Sequence, residues 1–505
     1  MKLSRICMML FLVAACTACA AETLKPAWSP GRYGTIRDGI LRIAVPPGPD
    51  QSAMNCSEAE IDLAPYRGKG VFTFSIRLRA DGVSKPRRNW NGVKFMFRFR
   101  DKSGGEFYRN VSGLAGTFDW RESHFIASVP ETAAEGTLML GLQDSSGTVE
   151  FDLNTLEIKP LFPKPESNYR IDYPERIAKT PPLRGVMSPT RSITEDDLAV
   201  LQKWGANLVR YQICRNWGKS GTEQDLAEYD SWLNGKLDHL EWLLTLAPKY
   251  GLRFVIDLHT PPGGRDAGKN LVMFSDKKYA DHFVEVWRRI AGRFKGNPSV
   301  WAYDLVNEPV QNGPARYDYW NIQRMAAEAV RRIDPDTPIM IESNEWDSPS
   351  AFAYLPPLEM DNVIYQVHMY VPGQFTHQFV HNAFGEQGSK NFIRYPGRTG
   401  GEMWDKAMLK KSLQPVRDFQ LRHNARIYVG EFSAVAWAPG AADYIRDCIE
   451  IFEEYGWDWS YHAFREWDGW SVEHEGLPGK LVPSAGNDRK QVLLKAFRKN
   501  SGILE

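Results

Sequence analysis

Five apolar runs of strand length carry or end in polar groups: Arg210 within one, then His259, the pair Asn307 and Glu308, the pair His368 and Tyr370, and Glu431 at the ends of the others. Two glutamates brought to one pocket can cleave an acetal, because the leaving oxygen needs a proton and the anomeric carbon needs a facing carboxylate. One glutamate must then be protonated and the other ionised near neutral pH. Arg210 aimed at Glu431 would hold that group ionised by opposite charge, and the Tyr370 hydroxyl could bond the same oxygen, which leaves the proton on Glu308. Asn307, next to that acid, is suited to a sugar 2-hydroxyl. A separation of about 5 to 5.5 Å between the carboxyls would select double displacement with retention of configuration.

Other chemistries find less support. His377 and His381 stand four residues apart but lack the Glu of a metalloprotease helix, and Asp257 with His259 has no third ligand in sight, so no metal is expected. The sequence has no G-x-S-x-G elbow, phosphate loop or dinucleotide fingerprint. The glycine-rich LHTPPGGR, residues 258–265, follows a strand and is expected to line a cleft. No cofactor is implied.

The elements that must position these groups can be counted from residue 184 onward. RGVMS, NLVRYQI, LRFVIDLH, WAYDLVNE, PIMIES, VIYQVHMY, RIYVGEF and WDWSYHAF are eight strand-like runs. Amphipathic segments such as ITEDDLAVLQKWG and WNIQRMAAEAVRRI alternate with them. Eight β-then-α units within about 320 residues predict an α/β fold, a (β/α)8 TIM barrel over 183–505, with the polar strand ends converging on one face. On the fourth and seventh strands, Glu308 and Glu431 stand on opposite walls.

Residues 24–162 read differently. Short alternating runs broken by Gly, Asp and Pro predict an all-β sandwich, jelly-roll-like. Trp90 and Trp120 could form a sugar platform there or pack inside. The Pro-rich stretch of 163–182 is read as a linker. Residues 1–20 have the layout of a signal peptide: Lys2 and Arg5, an apolar stretch from Ile6 to Ala15, then small residues. Val13-Ala14-Ala15-Cys16 resembles a lipobox in which Cys16 would be acylated and tether the protein to a membrane, whereas Ala18-Cys19-Ala20 suits plain cleavage. Both predict export, to the cell surface or the periplasm. Cys56, Cys214 and Cys448 show no disulfide or metal spacing and read as small buried residues.

Composition narrows the partner. Lys plus Arg and Asp plus Glu number 62 each, so no net field draws nucleic acid or anionic lipid. Seventeen Trp and 20 Tyr in a chain of mean hydropathy −0.42 suit a surface on which sugars stack. A neutral polysaccharide or oligosaccharide is the expected substrate, and a monomer the expected state.

Trp301–Pro309 (WAYDLVNEP) and Tyr428–Phe432 (YVGEF) resemble the acid/base and nucleophile motifs of glycoside hydrolase family 5, the cellulase family of clan A. The similarity spans roughly residues 184–500. It implies a retaining hydrolase with Glu308 as acid/base and Glu431 as nucleophile. The family's strand-2 Arg, strand-3 His and strand-6 His-x-Tyr correspond to Arg210, His259, and His368 with Tyr370. One departure concerns strand 8, where the family's W-x-Y-W is Trp459-Ser460-Tyr461-His462; His462, Trp467 or Trp470 must serve in place of the second Trp. The family's commonest activity makes an endo-β-1,4-glucanase the expected function, with β-mannanase or exo-acting β-glycosidase as the alternative. A glycan-binding lipoprotein on a degenerate barrel is the reading from another class, against which both carboxyls are retained.

Overall fold

The computed structural model describes residues 22–88, 90–102, 104–380 and 391–500. They fall into two compact units, one ending at Pro163 and the other beginning at Lys164. The leader with Cys16, and His381, lie outside the described residues.

Alternation dictates the first unit. Phe74, Ile76 and Leu78 of strand Gly70–Val83 point inward to meet Phe95, Phe97 and Leu140 from another sheet in one buried cluster. Each such side chain contributes roughly 1.5–3 kcal/mol on leaving water. One antiparallel sheet runs Gly34–Arg37, Ile40–Val45, Gly147–Pro163, Gly70–Val83, Gly116–Ser128, and the other Met54–Glu60, Ala133–Gln143, Gly92–Asp101, Glu106–Asn110. Arg77 and Arg79 face outward with their guanidiniums 5.9 and 5.0 Å from the Trp120 ring, so that ring is shared with cations, while Trp90 is 54% exposed.

In the second unit eight parallel strands close into a barrel: β1 Arg184–Met187, β2 Leu208–Gln212, β3 Arg253–Asp257, β4 Val300–Asp304, β5 Ile339–Glu342, β6 Val363–Met369, β7 Arg426–Phe432 and β8 Asp458–Tyr461. Helices capped by their own sequence return the chain between most of them. Asp318, for example, accepts from the N–H groups of Trp320 and Asn321 to start Tyr319–Ile333.

Two expectations need correction. The unit after β5 has no long helix, only a turn at Asn344–Asp347 and a 3-10 segment at Pro349–Ala353, because Pro349, Pro356 and Pro357 interrupt a stretch without helical periodicity. The stretch expected as a linker belongs to the second unit. Ile171 and Ile177 are buried, and the Tyr173 hydroxyl donates to the Val363 carbonyl at 2.6 Å while accepting from the Arg426 N–H at 2.7 Å. Cys214 and Cys448 are buried thiols as expected, but Cys56 is half-buried.

Candidate active site

Arg210 organises the site from inside β2. It is fully buried, and its guanidinium donates to Asp304 Oδ2 at 2.9 Å, Glu431 Oε1 at 2.7 Å, Asn307 Oδ1 at 2.9 Å and Glu342 Oε1 at 3.1 Å; Asp257 lies 3.3 Å away. Four carboxyls thus face one cation in a site nearly closed to water. Burying so many like charges is costly, and protons relieve it. Burial pushes Asp304 up to about 6 and Asp347 up to about 8, and carries Glu342 well above the carboxylate range, with neighbouring acids adding to Glu342.

Glu431 behaves oppositely. Burial would raise it, but His368, His462 and Arg210 outweigh burial and hold it well below the usual range, hence ionised. Tyr370 donates to its Oε2 at 2.9 Å, and His462 Nδ1 is 3.5 Å from that oxygen. His368 responds in turn: burial alone would lower it, yet Glu431 and Glu308 lift it to about 9, so it is a cation at neutral pH. It donates from Nδ1 to Glu308 Oε1 at 2.9 Å. One carboxyl oxygen each of Glu308 and Glu431 and a nitrogen of His368 lie within 4.8 Å of one another, so the two carboxyls face one point of the site.

Asn307 and Glu308 stand beyond the last residue of β4, and Glu308 has φ 48°. Asn307 is oriented on both sides: Oδ1 accepts from Arg210, and Nδ2 donates to His259 Nε2 at 3.1 Å. That ring donates from Nδ1 to Asp257 at 2.8 Å, which fixes its tautomer. Asn307 retains a second amide N–H for a ligand.

His462 occupies the strand-8 position. Its Nδ1 is bonded to the Tyr370 hydroxyl, its Nε2 lies 3.1 Å from Glu466 Oε2, and Gln212 Nε2 donates to the same oxygen at 3.0 Å. Burial lowers and the facing carboxylates Glu431 and Glu466 more than restore the His462 imidazole, which ends above its ordinary value. With both ring nitrogens protonated, a continuous order of donors results, His462 to Tyr370 to Glu431. Trp470 is buried behind His462, 5.7 Å between centroids, whereas Trp467 packs on Trp437 and Trp470 and is 39% exposed.

All nine expected site residues lie at this end of the barrel or on the loop after β8. Sequence reasoning missed Asp304, Glu342, Glu466 and Arg265. The signal for Glu342 was an ionisable residue inside the apolar run PIMIES. Among the described residues, two groupings have spacing that a cation could use, Glu308–His368–Glu431 and Glu342–Asp347–His368. Their atoms are already engaged by Arg210, Tyr370, Ser343 and one another. His377 stands apart from both, its ring 4.8 Å from Tyr370 and lowered to about 4 by burial, hence neutral.

Residues 176–468 match the family model described as Cellulase (glycosyl hydrolase family 5). Endoglucanase C of Acetivibrio thermocellus is 28% identical over 295 residues, covering 53% of this chain and 84% of that protein. Cellodextrinase A of Ruminococcus flavefaciens is 28% identical over 189 residues, 37% of this chain and 54% of that one. The endoglucanase Cel5A structure from Thermotoga maritima superposes with TM-score 0.46 at 21% identity, covering 62% of this chain and 96% of that one. Since the family match takes in more than half of the sequence, this chain belongs to glycosyl hydrolase family 5 and is a retaining hydrolase of O-glycosyl bonds.

Proposed function

We propose that this chain cuts β-1,4-linked glucan within the polymer, with Glu431 as nucleophile and Glu308 as acid/base. The observation that carries the reading is the unequal support of two adjacent carboxyls. Glu431 is held ionised by Arg210 at 2.7 Å and Tyr370 at 2.9 Å, while among the described residues the Glu308 carboxyl has one side-chain hydrogen-bond partner, His368. With Oε1 engaged by His368, Oε2 is the oxygen through which Glu308 delivers the proton. Glu431 attacks the anomeric carbon as Glu308 protonates the leaving oxygen, giving a glycosyl ester. Glu308, now a carboxylate, takes a proton from water, which attacks the ester and frees Glu431. Asn307, through its remaining N–H, bonds the sugar 2-hydroxyl as charge develops at the anomeric carbon.

A glucan substrate is supported by the relatives named endoglucanase and cellodextrinase. Export is part of the proposal, supported by the basic and apolar leader and by the lipobox-like run ending at Cys16. The test is product release from cellulose, mixed-linkage glucan, xyloglucan and mannan by the mature protein beside Glu431→Ala. Internal cutting of a β-1,4-glucan that falls by more than roughly ten-thousandfold in the variant supports the proposal. Preference for mannan, or release from chain ends only, replaces the substrate assignment, and glycan binding without turnover overturns the catalytic one.

A further inference from the structure

Glu308 is held at its backbone as well as its side chain. Its φ of 48° lies in the left-handed region, sparsely populated for a residue with a Cβ, and it stands four residues past the end of β4, outside the ladder. No neighbouring strand receives its peptide N–H. Glu342, the last residue of β5, does so instead: Oε2 accepts that N–H at 2.6 Å. At the other end of the residue, Arg265 Nη2 donates to the Glu308 carbonyl at 2.8 Å and to the Asn307 carbonyl at 3.1 Å.

Both partners are themselves fixed. Gln323, from helix Tyr319–Ile333, donates from Nε2 to the Glu342 carbonyl at 2.9 Å and accepts the Glu342 N–H on Oε1 at 2.9 Å. The Glu342 side chain is fully buried. The Arg265 guanidinium lies 5.3 Å from the Trp217 ring and 4.9 Å from the Trp346 ring, and is 7% exposed. Balancing the charge of Arg210 does not account for Glu342, since Asp304, Asp257 and Glu431 already face that cation.

We propose that Glu342 and Arg265 form a clamp on the two ends of residue 308, positioning the acid/base so that its carboxyl reaches the leaving oxygen. The proposal rests on Glu308 being the acid/base. Through Oε1 and Arg210 the same Glu342 carboxyl joins this backbone to the group that holds Glu431, so the spacing of the catalytic pair is set by one side chain.

A positioning role for the acid predicts a loss that depends on the leaving group. Aryl β-glycosides of the disaccharide that the polymer panel identifies, cellobiose on the present reading, would be compared from 2,4-dinitrophenol, which departs unaided, to phenol, which needs a proton. Glu342→Ala is expected to lose roughly thirtyfold or more in kcat/KM, which reports the glycosylation step, on the phenyl substrate and under about threefold on the dinitrophenyl one. Glu342→Gln retains an acceptor for the Glu308 N–H and should recover most of the phenyl rate. Arg265→Lys acts on the other end of the residue and should lose in the same order as Glu342→Ala, so the comparison stands even if Glu342→Ala does not fold by circular dichroism. Equal losses on both substrates, or none, in the folded variants overturn the clamp. Glu308→Ala separates this from failure of the underlying reading: a steep leaving-group dependence there with flat clamp variants sinks only the clamp, whereas a flat dependence in Glu308→Ala removes the acid/base assignment itself.

Discussion

At the scale of residues, the site places protons by burial and spends few free ions. Glu431 is lowered and His368 raised to about 9, and both shifts have consequences for stability. A group raised in the folded state stabilises fully below its unfolded value and loses that contribution as pH rises through its folded value. His368 should therefore stabilise the barrel at pH 6 and cease to do so between roughly 6.5 and 9. Glu431 has the opposite sign: its contribution is present above the ordinary carboxylate range and disappears as pH falls below it. The melting temperature is expected to drop from pH 6.5 to 9, and His368→Asn should flatten that drop. A variant with the same slope as the parent would refute the assignment. Glu466 supports His462 in the same way. In Glu466→Gln the imidazole loses a facing carboxylate, so the alkaline limb of kcat/KM should move to lower pH; an unmoved limb would mean that His462 titration does not reach Glu431.

Elements decide where these residues stand. Arg210, His368 and Glu431 lie within strands, so their directions follow from barrel pleat, and the period-2 pattern makes them legible in the sequence. His259, Asn307, Glu308 and His462 lie just past strand ends, where the ladder no longer dictates direction and side chains such as Glu342 and Asp257 take over. Helix Tyr319–Ile333 matters here because it carries Gln323, which fixes Glu342. Its N-cap Asp318 satisfies two backbone N–H groups, and Asp318→Ala should cost about 1 kcal/mol, read as a lower urea midpoint with an unchanged slope. Unchanged stability would show that packing alone holds that helix.

For the whole molecule, the boundary between units lies at residue 163, and all the site residues lie beyond it. A chain beginning at residue 164 is expected to cleave soluble oligosaccharides with the parent kcat. One beginning at 183 loses Tyr173 and Ile177, which are packed against β6 and β7, and should melt lower by several degrees or fail to fold. Equal melting of the two truncations, followed by calorimetry, would show that residues 164–182 contribute nothing to the barrel.

By itself the sequence determined the barrel, the sandwich, and the pair Glu308 and Glu431 with Arg210, His259, Asn307, His368 and Tyr370, because strand ends of a closed parallel barrel must converge whatever the loops do. Tertiary structure alone decided the rest. Asp304 reads as an ordinary acid, and Glu342 only as an acid in an apolar run, until four carboxyls are seen around one guanidinium, and Gln212 meets Glu466 across 254 residues of chain. Such contacts depend on which side chains remain without water once the barrel closes, and no local pattern of the chain encodes that.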